Sequence, residues 1–165
     1  MAFPYKTILC PVDFDENSLA ALDQAVAIAR QLGASLILVH VLPMALALGE
    51  VPPPASLYED QEKDAQAKLA DIAKQKLGGL KHRELVYTGD VIGSLLLAQA
   101  KHQPDLVVIA THGRRGIARM FLGSVAEAVV RKATCPVLTV RNEIPEAQAA
   151  GRKESAAKGA RSQRK

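Results

Sequence analysis

The sequence predicts an α/β domain, a five-stranded parallel sheet with helices on both faces and an expected strand order of 3-2-1-4-5. Three observations predict it. Five short apolar runs are too dense to alternate inside and outside, as strands buried on both faces are. Helical stretches separate these runs in strict alternation, which implies parallel pairing, and right-handed crossovers leave few topologies. Aromatic residues make up 4% of the chain and Trp is absent, while apolar residues reach 48%. The interior is therefore aliphatic, as is common in α/β proteins.

Each element has its own signal. The first strand is expected at residues 7–12. A helix over 18–32 places Leu19, Leu22, Ala25, Val26 and Ala29 on one face, and Gly33 stops it. The second strand is expected at 35–41. Residues 42–57 carry Pro43, Pro52, Pro53 and Pro54 and are expected as a long loop, a lid or a plain insertion. A charged helix over 58–77 ends at Gly78-Gly79. The third strand follows at 83–87. Asp90 is suited to cap a helix over 91–102. The fourth strand is expected at 105–110. The last helix, 123–132, carries Arg131 and Lys132 favourably near its C-terminus. The fifth strand follows at 136–140. The folded domain is expected to span 1–143. Residues 144–165, rich in Ala, Gly, Lys, Arg, Gln and Ser, lack an apolar face to pack and are expected as a disordered basic tail.

Composition narrows the function. No apolar run approaches the roughly 18 residues of a membrane span. Residues 1–6 lack a basic segment followed by an apolar stretch, so no secretion signal is expected and a cytoplasmic location is. Cys10 and Cys135 sit beside apolar residues and read as buried free thiols. No C-x-x-C pair suggests zinc. The net charge of +4 is unevenly held: six basic residues against Glu154 put +5 on residues 152–165, leaving −1 on the remainder. A basic face of the domain for nucleic acid is therefore not indicated, and the tail reads as solvated.

The strongest chemical signal is Ala110-Thr111-His112-Gly113 followed, after nine intervening residues, by Gly123-Ser124. It runs from the end of the fourth strand to the start of the last helix. Gly113 permits a positive-φ turn and a close ligand approach. Gly123-Ser124 places amides and a hydroxyl at a helix N-terminus, a site for phosphate. Arg114 and Arg115 add positive charge. The alternative is structural: Ser124-Val125-Ala126-Glu127 also reads as a capping box. Asp13 ends the first strand, where a carboxylate can take a ribose hydroxyl or an adenine amine, or can serve as a turn residue. Val41 ends the second strand, where its backbone can meet a base edge. His112 and His40 read as backbone-bonded and core residues, and His82 and His102 as exposed. The absence of G-x-x-x-x-G-K-[ST] and of G-x-G-x-x-G after the first strand argues against a P-loop enzyme and a dinucleotide-binding domain.

Taken together, 6–13, the Thr111-His112-Gly113 turn, Gly123-Ser124-Val125-Ala126-Glu127 and 135–140 resemble the universal stress proteins of the UspA-like, ATP-binding type, over roughly residues 4–142. The resemblance implies a Rossmann-like adenine-nucleotide-binding fold. It assigns Asp13 and Val41 to the adenosine end. Gly113, Gly123, Ser124 and Val125 go to the phosphates and ribose, and Pro11 to the pocket wall. With Val12, Ala110 and Arg114 these make up the candidate nucleotide-binding residues; no catalytic or metal-ligating residue is proposed. The sequence departs from the family pattern at Ala110, where the pattern has glycine. The resemblance implies ATP, with AMP or ADP as alternatives and Mg²⁺ carried on the phosphates, a regulatory role in stress, and a homodimer paired through the last strand. Hydrolysis would be slow at most, since no general base or arginine finger is evident and His112 is the sole candidate base. The competing reading is a nucleotide-free dimeric interaction module whose Ala110 has spoiled the site.

Overall fold

The structure, a computed structural model, describes residues 3–44, 55–111 and 122–141. The order of elements is β1 (Thr7–Pro11), α1 (Glu16–Leu32), β2 (Ser35–Pro43), α2 (Ala55–Lys76), β3 (His82–Gly89), α3 (Val91–His102), β4 (Leu106–Ala110), α4 (Ser124–Lys132) and β5 (Val137–Val140). The strands form one sheet in the order β3-β2-β1-β4-β5, every pair parallel. Fold class and strand order are those the sequence predicts.

Successive strand residues face opposite sides of a sheet, and two aliphatic cores follow from that alternation. Ile8, Cys10, Leu36, Leu38, Leu106 and Val108 face one side, under α1 and α2. Leu9, Ile37, Val39, Val107 and Ile109 face the other, under α3 and α4. This pairing of helices is what right-handed crossovers require, because the winding direction reverses between β1 and β4. The reversal opens a crevice at the carboxyl ends of those two strands.

Local chemistry fixes the ends of the elements. Asp105 accepts the Lys6 and Thr7 amides at 2.9 Å each and ties the start of β1 to β4. The helix α1 starts two residues earlier than the periodicity suggests because Asp15 is its N-cap, accepting the Ser18 amide at 2.7 Å. Gly33, at φ 65°, closes it in the left-handed conformation. Asp90 caps α3 through the Gly93 amide at 2.6 Å, as expected. The strand β2 continues past Val41 to Pro43, because β3 runs beside it as far as Gly89. On the same ladder β3 extends the predicted 83–87 at both ends. Among the described residues no helix is long and apolar enough to cross a membrane. Residues 144–165 lie outside the described residues.

Candidate functional site

Above the carboxyl ends of β1 and β4 lies a cavity of about 690 Å³. Pro11, Val12, Asp13, Val41, Ala110, Gly123, Ser124 and Val125 all line it, so eight candidates drawn from four separate stretches of sequence converge on one crevice. Gly113, Arg114, Arg115, Gly116 and His112 lie outside the described residues.

The β4–α4 side is built on backbone bonds. The Thr111 amide donates to Val140 O at 3.0 Å, and Gly123 donates back to Thr111 O at 2.5 Å. That bond corrects one expectation: the Gly123 amide is committed to Thr111. A second correction concerns the capping box. Gly123 is the N-cap of α4 and makes no side-chain cap. Its carbonyl accepts the Glu127 amide at 2.8 Å, and the Glu127 carboxylate turns to Arg131 at 3.0 Å. Ser124 is the first helical residue and is exposed. The amides of Ser124, Val125 and Ala126 precede the first intrahelical donor and carry the positive end of the helix dipole toward the cavity. Ala110 is the last residue of β4, paired with Val140. It is not among the described residues with positive φ, so its strand backbone suits an L-residue as well as glycine.

The β1–α1 turn holds the carboxylates. Asp13 accepts the Asp15 amide at 3.2 Å, and its own amide donates to Ser18 Oγ at 3.2 Å. Phe14 between them adopts φ 67°, an unusual value for a bulky residue. That turn lets Asp13 line the cavity while Asp15 caps α1. Burial, ahead of the charge and side-chain bond of Asp13, pushes the Asp15 carboxyl above the ordinary aspartate range. Its Oδ2 is buried without a partner among the described residues.

The β2 wall supplies backbone and an imidazole. Val39 O accepts the Val12 amide at 2.8 Å, so Val39 faces β1. Two residues on, Val41 presents its N–H and C=O to the same edge, which β1 has by then left. His40 is buried, and its Nδ1–H donates to Val12 O at 2.7 Å. The Phe14 ring lies on it at 4.2 Å. The core reading of His40 holds, but the residue also lines the cavity.

Sequence reasoning missed the contribution of α2. Gln61, Asp64, Ala65 and Lys68 line the cavity from one face of that helix. Their spacing of three, four and seven is visible in the sequence, but a polar stripe at that spacing reads equally as a solvated face. Elsewhere, Cys10 is fully buried and burial, then the Asp23 charge, drives its thiol up to about 12. Cys135 is half-buried, against the expected burial, and burial also raises its thiol. His102 is half-buried where exposure was expected, beside Tyr87 Oη at 3.4 Å. Burial, with Lys101 and Arg83, lowers its pKa. No group of three or more metal-ligating side chains occurs among the described residues.

The comparisons agree with this architecture. Residues 4–141 match the universal stress protein family. The chain is 31% identical over 143 residues to universal stress protein MJ0531 of Methanocaldococcus jannaschii, covering 83% of this chain and 82% of that protein. It is 32% identical over 141 residues to universal stress protein A homolog 1 of Coxiella burnetii, covering 82% and 96%. Among solved structures it is similar to MJ0577 at TM-score 0.72 and 25% identity, over 86% of this chain and 99% of that one. It is also similar to a universal stress protein in complex with cAMP, at TM-score 0.60 and 27% identity over 84% and 98%. On the family match and these identities together, the chain belongs to the universal stress protein family.

Proposed function

We propose that this universal stress protein binds an adenine nucleotide, ATP or its AMP and ADP relatives, in the crevice between β1 and β4, and uses it as a regulatory ligand. The observation that carries this reading is the convergence of three complementary surfaces on one cavity. The first amides of α4 suit an anion. Asp13 can accept from a ribose hydroxyl or an amine. The Val41 backbone, at the edge of β2 beyond the end of β1, suits a base edge. The complex of a similar structure with cAMP supports the choice of adenine. Mg²⁺ would be carried by the phosphates. The role is binding, with hydrolysis slow at most, and the cytoplasmic location and homodimer expected from the sequence belong to the same reading.

The test is direct. The purified protein is denatured and any released nucleotide identified by chromatography, and the emptied protein is titrated with ATP and Mg²⁺ by calorimetry. Saturable heat that Asp13→Ala reduces is expected. A flat titration with no released nucleotide would sink the reading. Ala110 favours a second one, a nucleotide-free module: there the wild type shows no binding and Ala110→Gly restores it. The ordinary strand conformation of Ala110 argues for the first.

A further inference from the structure

A second cavity, of about 430 Å³, opens beside α1 at the amino ends of β1, β4 and β5. Leu32 of α1, Leu106 of β4 and Leu138 of β5 line it, with Phe3, Tyr5 and Pro136. It shares no lining residue with the nucleotide crevice, which lies at the other end of the strands. No charged side chain is among its described lining. Phe3 is 76% exposed and Leu138 40%, and the Phe3 ring stands edge-on to Tyr5 at 5.7 Å. Apolar surface left so open marks a contact site.

Two features of the chain identify the occupant. Residues 142–165 lie outside the described residues, and Ile144, followed by Pro145, is their only large apolar residue. The remainder is Ala, Gly and polar or charged residues, which have little to place in an uncharged groove. The second feature is the direction of β5. Pro136 O and Val140 O accept the Val107 and Thr111 amides, so Val137 and Thr139 turn their backbone groups outward. A two-fold antiparallel pair that uses both residues sets Val137 opposite the partner's Thr139, and Val140 opposite the partner's Pro136. Extended chain continuing from there runs past that Pro136 toward Tyr5 and Phe3, and at about 3.3 Å per residue its Ile144 stands roughly 13 Å further on. Val140 packs on the α1 side of the sheet, and alternation puts Ile144 on the same side. The chain's own groove lies behind it: to reach that one, Ile144 would have to reverse within four residues of Val140 and run back along β5.

We infer that Ile144 and Pro145 of each chain dock in the Phe3–Leu138 groove of its partner, a second contact of the homodimer beyond the paired strands. This rests on the homodimer reading above and gives the first residues of the tail a role that the sequence did not suggest.

Two measurements on the full chain test it. Ile144→Asp puts a charge into an uncharged groove. Light scattering should show its dimer weakened roughly a hundredfold, about tenfold for each of the two symmetric copies. Ala149→Asp adds the same charge further along the tail and should leave the dimer unchanged, and thermal melts check that both variants fold. For the second measurement Phe3, exposed and outside the strands, is replaced by the photo-crosslinker benzoylphenylalanine. That chain is mixed with a large excess of wild type labelled with heavy nitrogen and irradiated, and the products are mapped by mass spectrometry. Cross-links from position 3 to heavy-labelled residues 142–147 are expected. If the wild type is dimeric but Ile144→Asp pairs as tightly, or if position 3 reaches no heavy-labelled tail, the inference falls and the homodimer stands. If the wild type is monomeric throughout, both fall.

Discussion

At the scale of single residues, the turn from β1 into α1 divides labour between two neighbouring carboxylates. Asp13 faces the cavity and Asp15 caps the helix, so the cap has its charge brought beside a second carboxylate and partly out of water. Two substitutions separate these effects. Asp15→Ala removes the cap and is expected to destabilise by about 1 kcal/mol in urea unfolding. Asp15→Asn keeps an acceptor for the Ser18 amide and removes the charge. Because the folded state raises the Asp15 pKa, it holds that proton more tightly than the unfolded chain does. The resulting stabilisation is complete below the ordinary aspartate value of about 3.9 and is lost as pH rises through the folded-state value. Asp15→Asn should therefore gain on wild type as pH rises through that window and hold its advantage at neutrality. A difference that is flat with pH would mean that neither burial nor the neighbouring Asp13 disfavours the charged form of Asp15. Asp13 was legible in the sequence as a carboxylate closing an apolar strand, whereas its relation to Asp15 depends on the positive φ of Phe14, which no pattern announces.

At the scale of elements, the five strands and four helices were legible because burial on two faces leaves dense apolar runs and amphipathic spacing. What could not be read was which polar faces meet. The polar stripe of α2 looks like any solvated helix until β1 and β2 are seen to end beneath it. The Ser124-Val125-Ala126-Glu127 pattern reads as a capping box, yet Gly123, held by Thr111, starts the helix one residue earlier and leaves Ser124 exposed. Gln99 is a further element link hidden from sequence. It is 5% exposed inside α3. With its amide oriented to satisfy both ends, its carbonyl accepts the Thr134 amide at 2.8 Å and the Cys135 amide at 3.3 Å. It thereby fixes the turn that delivers β5. Gln99→Leu keeps much of the volume but strips those amides of their acceptor. A loss of roughly 1–3 kcal/mol in unfolding free energy is expected, with faster amide exchange at Thr134 and Cys135 than at the centre of β4. Unchanged exchange there would assign Gln99 to packing alone.

At the scale of the whole molecule, β5 is the short outer strand of the sheet, with Leu138 40% exposed and Phe3 76% exposed beside the groove at its base. An edge left unpaired among the described residues invites pairing, which supports the proposed homodimer through residues 136–140. The register identifies the atoms that would form it. Pro136 O accepts the Val107 amide and Val140 O the Thr111 amide, so the even-numbered residues face β4. Alternation then turns the N–H and C=O groups of Val137 and Thr139 to the free edge. Thr139→Pro deletes an outward donor while leaving the bonds to β4 intact, and proline is tolerated where its nitrogen faces outward on an edge strand. In a two-fold symmetric pair the deletion counts twice. At about 0.5–1.5 kcal/mol net for each bond, the dimer should weaken by roughly tenfold or more. Light scattering across a concentration series is expected to show a dimeric wild type and a variant shifted toward monomer, with a nearly unchanged melting temperature for the monomer fold. A wild type that is monomeric throughout would remove the homodimer from the proposal. A Thr139→Pro variant that dimerises as tightly as wild type would place the interface on another face of the molecule.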